Sequence, residues 1–285
     1  MTKMIYGVLG HPVGHSLSPA MQNAAFKEAG IDAEYGAYDI PPEGLSDFLS
    51  NLSHKGIAGL NVTIPHKIKT KEYVERHGML DAFAKKLGAV NTIKVGEDGK
   101  LCGFNTDGPG FYRSLVEDLK FEPEGKTVFV LGSGGAATAV VMYLGNGPKK
   151  IFISDVDKEK TLALKTHYDG YYDRARMVIV DPSEMEKSLS ESDLLVNATP
   201  IGMKDGDPSP VSKDMLRRPL RVYDLVYNRP TTELVRDAVR LKLHAVTGLG
   251  MLLYQGAIAF EIWMGRPAPI AVMKKTLKAA LKNNE

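Results

Sequence analysis

The chain has 285 residues, room for two ordinary domains, and its 36 Lys and Arg against 34 Asp and Glu give a formal net charge of +2, a balance that provides no broad field for nucleic acid or an anionic membrane. One cysteine, Cys102, and seven scattered histidines exclude an intramolecular disulfide and offer no zinc-type ligand spacing, which points to small-molecule chemistry in a reducing cytoplasm without a metal. The apolar run in residues 1–10 is too short for a secretory segment, and no run approaches a membrane span.

In chain order, strand-like runs are predicted at 4–10, 34–40, 57–63 and 90–95, alternating with helical patterns at 19–30, 42–52 and 67–77; this is the signature of an α/β layer. His11 and His15 are separated by Pro12 and Gly14 and read as loop residues, not as a helical ligand pair. After a turn-rich piece at 121–125 the alternation restarts, with strands at 127–131, 150–154, 177–180, 194–197 and 222–225 and helices ending at Leu144 and Tyr168. Two helices, 250–265 and 268–282, close the chain, and the first is apolar on nearly every face, so it requires burial against other elements. There is no repeat, charge block or long linker. The expected fold class is therefore α/β, with two α/β units close together across a cleft.

The strand ending at Leu131 runs into Gly132, Ser133, Gly134, Gly135, Ala136 and Ala137 and then into a helix, the pattern G-x-G-x-x-A. Gly132 permits the tight turn, Gly134 lets backbone approach a pyrophosphate, Ala137 allows close helix–strand packing, and the helix N-terminus faces the anion. An ordinary glycine turn has the same pattern, so the next strand matters. It ends at Asp155, near the ~20-residue spacing of a ribose-binding acid. A carboxylate there accepts from the ribose hydroxyls and repels a 2′-phosphate, which predicts NAD over NADP. The alternative is a cap on the following helix, which Asp157 would serve equally well.

A second signal is the run 61–67, where a strand is stopped by Pro65 just before Lys67. It presents Asn61, Thr63 and Lys67 near one edge, with Pro65 suited to the first turn of a helix. Ser16 and Ser18 precede another helix; Ser18, followed by Pro19, reads as an N-cap as readily as a ligand. Asn91 and Thr92 follow a small-residue stretch, and Asn105, Thr106 and Asp107 stand at the junction of the two units. Asp107 either caps a helix at 109–119 or points its carboxylate into the cleft. A lysine and an aspartate from different segments would keep each other charged and let a proton move between them.

Taken together, residues 14–19, 61–67, 88–92, 103–108, 197–203, 224–227 and 248–251, with Gln255, resemble the shikimate dehydrogenase family, which reduces 3-dehydroshikimate in aromatic amino-acid biosynthesis. The segments follow family order over the whole chain. The resemblance implies a catalytic pair, Lys67 and Asp107, with Ser16, Ser18, Asn61, Thr63, Asn91, Tyr227 and Gln255 contacting substrate. It implies cofactor contacts from Gly132, Ser133, Gly134, Gly135, Ala136, Asp155, Thr199, Leu225, Gly248 and Met251, the nicotinamide lying near Leu225 and Gly248. It also implies a substrate-binding domain of residues 1–106 and 249–285 and a Rossmann-like dinucleotide-binding domain of residues 107–248.

Where NADP-using members carry an Asn-Arg-Thr-like run after the second Rossmann strand, this chain has Ser154, Asp155 and Val156; NAD is the expected cofactor, with NADP possible. The serines at 16 and 18 match the shikimate form, whereas quinate users carry a threonine in place of one, so shikimate is expected and quinate is secondary. Three other readings are an NAD-dependent quinate/shikimate dehydrogenase of catabolism, a non-catalytic nucleotide-binding regulator, and a two-domain dehydrogenase of the methylenetetrahydrofolate type. The presence of both Lys67 and Asp107 speaks against the regulator, and the last would not need the hydroxyl-binding set. Expected partners are a small-molecule substrate and, at most, a second copy in a homodimer, with no nucleic acid or membrane.

Overall fold

The computed structural model describes residues 3–282. The chain forms two compact units, Met1–Thr106 with Leu253–Glu285, and Asp107–Leu252. Each is built on its own six-stranded sheet.

The first unit runs β1 (Met4–Gly10), α1 (Ser18–Glu28), β2 (Ala33–Asp39), α2 (Leu45–Ser50), β3 (Ile57–Val62), α3 (Lys67–His77), β4 (Gly78–Leu80), α4 (Ala82–Leu87), β5 (Thr92–Val95) and β6 (Leu101–Phe104). Its sheet order is β2-β1-β3-β5-β6-β4. β1 lies parallel to β2 and β3, while β3/β5 and β5/β6 are antiparallel. The last five residues of β1 are all buried, as befits a central strand covered on both faces. Leu9, Leu60 and Ile93 are fully buried in the core beneath α2 and α3, with Phe48, Leu49 and Val74 packed against them.

The second unit runs α5 (Asp107–Glu117), β7 (Thr127–Leu131), α6 (Gly135–Leu144), β8 (Lys150–Ser154), α7 (Lys158–Asp169), β9 (Met177–Ile179), α8 (Met185–Ser190), β10 (Leu194–Asn197), β11 (Arg221–Asp224), α9 (Glu233–Arg240) and β12 (Ala245–Thr247). All its strands are parallel, in the order β12-β11-β10-β7-β8-β9. That is the doubly wound dinucleotide-binding order, and winding reverses between β7 and β10, where the carboxyl ends of the strands open a crevice. Val128, Phe129 and Val130 of β7 and Leu194, Leu195 and Val196 of β10 are completely buried, the near-continuous apolar run that a parallel sheet covered on both faces demands.

The chain ends in α10 (Leu249–Met264) and α11 (Ile270–Lys282); the unit boundary falls inside α10, after Leu252. In the first unit α11 packs along α1, and Phe260 of α10 meets Phe26 of α1 with ring centroids 5.7 Å apart. Trp263 donates its indole N–H to the Ile93 carbonyl at 2.9 Å. Gly59 makes room for that ring: a Cβ there would lie 2.5 Å from Trp263 Nε1. Among the described residues no helix is long and apolar enough to cross a membrane.

Several elements depart from the sequence reading. β4, β6 and β12 and the helices α4, α8 and α9 were not predicted, being short; the predicted helix at 42–52 is a turn of 3₁₀ helix, Pro42–Gly44, followed by α2. α5 begins at Asp107, so Pro109 is its third residue, where the N–H lost to proline has no intrahelical partner to lose.

Candidate active site

In the first unit the polar residues predicted from sequence gather at the carboxyl end of β3 and the start of β5. The Tyr35 hydroxyl donates to Asn61 Oδ1 at 2.8 Å, and Asn61 Nδ2 donates to Thr92 Oγ1 at 3.0 Å. Asn91 Oδ1 accepts from Thr92 Oγ1 at 3.0 Å and from the Thr106 N–H at 2.8 Å, while Asn91 Nδ2 donates to Thr106 Oγ1 at 3.0 Å. Asn61, Asn91, Thr92 and Thr106 are all buried. Such a chain of amides and hydroxyls holds each donor and acceptor in a fixed direction.

Ser18 is also buried. α1 starts at Ser18 itself, and the residue before it, Leu17, makes no side-chain capping bond, so the expected N-cap role does not occur. Burial pushes the Tyr35 phenol well above its ordinary pKa, and the nearby Ser18 hydroxyl partly opposes the rise. Ser16, half-buried, accepts the Ser18 N–H at 3.3 Å.

Lys67 is the first residue of α3 and half-buried. Pro65 is not in that helix. It sits behind a cis peptide bond in a turn closed by the His66 N–H on the Thr63 carbonyl at 2.9 Å. Two bonds place the start of α3: buried His66 Nε2 meets the Ile40 carbonyl at 2.7 Å, and the Lys67 carbonyl accepts the Val90 N–H at 3.0 Å, tying the lysine to the loop that carries Asn91. Thr63, half-buried, donates its N–H to the Leu9 carbonyl at 2.8 Å. Gln255 of α10 is buried beside Gly256, where an added Cβ would collide with the Met21 methyl of α1.

In the second unit the glycine turn lies between the ends of three strands. Gly132 has φ +105, and a Cβ on it would lie 2.8 Å from the Ala198 carbonyl oxygen and 3.1 Å from the Thr199 nitrogen. Gly134, Gly135 and Ala136 are exposed at the start of α6, and Gly134, its N-cap, has no side chain to cover the free N–H groups. An open helix N-terminus above a cradle that only glycine can form fits a dinucleotide pyrophosphate. Asp155 Oδ2 accepts from the Ser133 N–H at 2.7 Å and hydroxyl at 2.8 Å, and Oδ1 accepts from the Asp157 N–H at 3.0 Å. Partial burial works to raise the Asp155 pKa, but the bonds from Asp157 and Ser133 outweigh it and hold the carboxyl below its ordinary value. The cap on α7 is Asp157, which accepts the Lys160 N–H at 3.0 Å, so Asp155 is not spent on that role.

The structure brings Leu225 and Gly248 together: the Gly248 N–H donates to the Val226 carbonyl at 3.0 Å, and a Cβ on Gly248 would collide with the Leu225 carbonyl. Met251 follows in the first turn of α10, half-buried. Tyr227 is 42% exposed and so is not a core tyrosine. Asp107, the first residue of α5, is half-buried. Among the described residues no group of three His, Cys, Asp or Glu could hold a metal ion.

Sequence reasoning gave no role to Tyr35, His66, Asn197, Asp224 or Thr232. Their signal was faint: His66, Asn197, Asp224 and Thr232 lie at the end of a buried run or in the loop that follows, whereas Tyr35 is the one buried residue within β2.

Comparison with known proteins matches residues 8–93 to the shikimate dehydrogenase substrate binding domain and residues 248–278 to the shikimate 5′-dehydrogenase C-terminal domain. A shikimate dehydrogenase (NADP(+)) of Methanopyrus kandleri is 44% identical over 283 residues, covering 98% of this chain and 96% of that one. The chain belongs to the shikimate dehydrogenase family. Like the family it is an NAD(P)-dependent oxidoreductase acting on a CH–OH group. Two solved members share its fold: a shikimate dehydrogenase in complex with NADP+, with TM-score 0.90 and 39% identity over 97% of this chain and 95% of that one, and the Listeria monocytogenes shikimate 5-dehydrogenase in complex with shikimate and NAD, with TM-score 0.88 and 32% identity over 96% of each chain. The parallel six-stranded sheet and glycine turn described above are the family's dinucleotide-binding half.

Proposed function

We propose that the protein interconverts shikimate and 3-dehydroshikimate reversibly and prefers NAD. The observation that carries the substrate reading is the buried chain from Tyr35 through Asn61 and Thr92 to Asn91 and Thr106, next to the helix that starts at Lys67. Fixed amides and hydroxyls suit a carboxylate bearing several hydroxyls, and both serines of the shikimate form, Ser16 and Ser18, are in place. Thr63, Tyr227 and Gln255 complete the proposed substrate set.

The names of the relatives favour NADP, while the Listeria complex holds NAD. For this chain Asp155 supports NAD, because an ionised carboxylate at the end of β8 accepts from ribose hydroxyls and repels a 2′-phosphate.

When bound, the nicotinamide supplies the hydride chemistry at the substrate C3 carbon. Lys67 faces the negative charge that gathers on the C3 oxygen during reduction and delivers the proton to it. Asp107 accepts the substrate hydroxyl and keeps it oriented. The amide and hydroxyl chain fixes the ring so that only C3 is presented.

Replacing Lys67 tests this. Lys67→Ala is expected to lower kcat by roughly 10²-fold or more, with little change in the KM for shikimate. Near-normal turnover by a folded variant overturns the assignment.

A further inference from the structure

We infer that Asp224 is a positioning residue that fastens the loops after β10 and β11 into one rigid cofactor-facing edge; this rests on the proposed cofactor contacts of Thr199, Leu225 and Gly248. Asp224 ends β11 and is completely buried. Its Oδ1 accepts from Asn197 Nδ2 at 2.9 Å and from the Val226 N–H at 3.1 Å, and its Oδ2 accepts from the Thr232 hydroxyl at 2.6 Å. All three donors are neutral. Burial without a neighbouring cation raises the carboxyl's pKa, and the bonds from Thr232, Val226 and Asn197 oppose the rise. A buried carboxyl costs stability unless its bonds are met, so its value lies in what those bonds hold.

They hold both loops. Asn197, bound by Asp224, accepts the Thr199 N–H at 3.1 Å and hydroxyl at 2.7 Å and donates to the Ile201 carbonyl at 3.1 Å. Val226 lies between Leu225 and Tyr227, and Thr232 caps α9 through the Val235 N–H at 3.3 Å. One carboxyl thus reaches Thr199 on one loop, Val226 on the next and the start of α9. At the rim Asn228 Nδ2 donates to the Met203 carbonyl at 3.0 Å, and Arg229 pairs with Asp205. Leu225 in turn packs on Gly248, so a shift at Asp224 moves each of the three segments proposed to meet the cofactor.

The test uses the purified full chain with Asp224→Asn, which keeps the shape but turns a donor toward Thr232 or Asn197. Amide hydrogen exchange is measured without cofactor, and NAD affinity by calorimetry. The expected result is faster exchange in residues 198–203 and 225–228 together, with β8 and β9 unchanged, and an NAD Kd raised about tenfold. Loosening of one loop alone, or of the whole second unit evenly, overturns the coupling and leaves Asp224 a stability residue. Coupled loosening with an unchanged NAD Kd overturns the positioning role. Should Asp224→Asn fail to fold, Thr232→Val removes one donor and carries the same expectations on a smaller scale. Thr199→Ala separates the two levels: an unchanged NAD Kd in that variant sinks the placing of the cofactor, whatever the exchange pattern in Asp224→Asn.

Discussion

Asp155 receives both the backbone N–H and the hydroxyl of Ser133 on one carboxylate oxygen, at 2.7 and 2.8 Å. The acid at the end of β8 therefore does two things: it fastens the glycine turn to the neighbouring strand, and it sets a fixed negative charge where the adenosine ribose is expected. The second oxygen accepts the Asp157 N–H, which leaves it capacity for a further donor from a ribose hydroxyl.

Replacing Asp155 by a neutral or basic residue should move cofactor preference toward NADP. For Asp155→Arg the ratio of kcat/KM for NADP to that for NAD is expected to rise by about tenfold or more, ~1.4 kcal/mol. A ratio that stays put in a folded variant would reduce Asp155 to a fastener of the glycine turn.

The same carboxyl makes a pH prediction. Its folded pKa lies below the ordinary 3.8, so the stability it contributes is present above that value and is lost as pH falls through the lowered folded value. The gap in Tm between wild type and Asp155→Asn should be full near neutral pH and shrink as pH drops below about 4. Thermal scans across that range check it; a gap independent of pH contradicts the ionised latch.

Gly132→Ala puts a Cβ at φ +105, 2.8 Å from the Ala198 carbonyl oxygen. Left-handed backbone for a non-glycine residue costs ~1–3 kcal/mol, and relief of the clash pushes the loop after β10 away. The expected outcome is a loss of ~2 kcal/mol in urea unfolding, with weaker NAD binding and an unchanged KM for shikimate. Full NAD affinity in this variant would show that the turn does not cradle the pyrophosphate.

Both α/β alternations and the strand–glycine turn–helix unit were legible because long buried strands carry their own apolar pattern, as in residues 127–131 and 150–154. β4 and β12 were not, since three residues, as in Gly78–Leu80 and Ala245–Thr247, hold barely one period of alternation. Ser18 looked like a cap because serine before proline usually is one, but α1 starts at Ser18 itself, with Leu17 before it. Asp224 was readable as an acid inside an apolar run, but its donors come from Asn197 and Thr232, 27 and 8 residues away, and nothing in the local pattern announces them.

Asn91→Ala should damage the substrate-side unit and spare the cofactor side. It removes the acceptor for the Thr106 N–H and the Thr92 hydroxyl, and a buried donor left unmet costs ~1–3 kcal/mol. The chain has one tryptophan, Trp263, which lies in the same unit as Asn91, so urea unfolding followed by its fluorescence reports the loss directly. A rise in the KM for shikimate with cofactor KM unchanged is expected; a rise in the cofactor KM alone contradicts the placing of Asn91 with the substrate.

The most direct test of the account is the initial rate of oxidation of shikimate and of quinate, each with NAD and with NADP, on the purified protein. The account predicts that shikimate with NAD has the highest kcat/KM of the four. Dominance of NADP would overturn the role given to Asp155, quinate rates equal to those with shikimate would overturn the substrate reading, and silence in all four would contradict the proposed reaction itself.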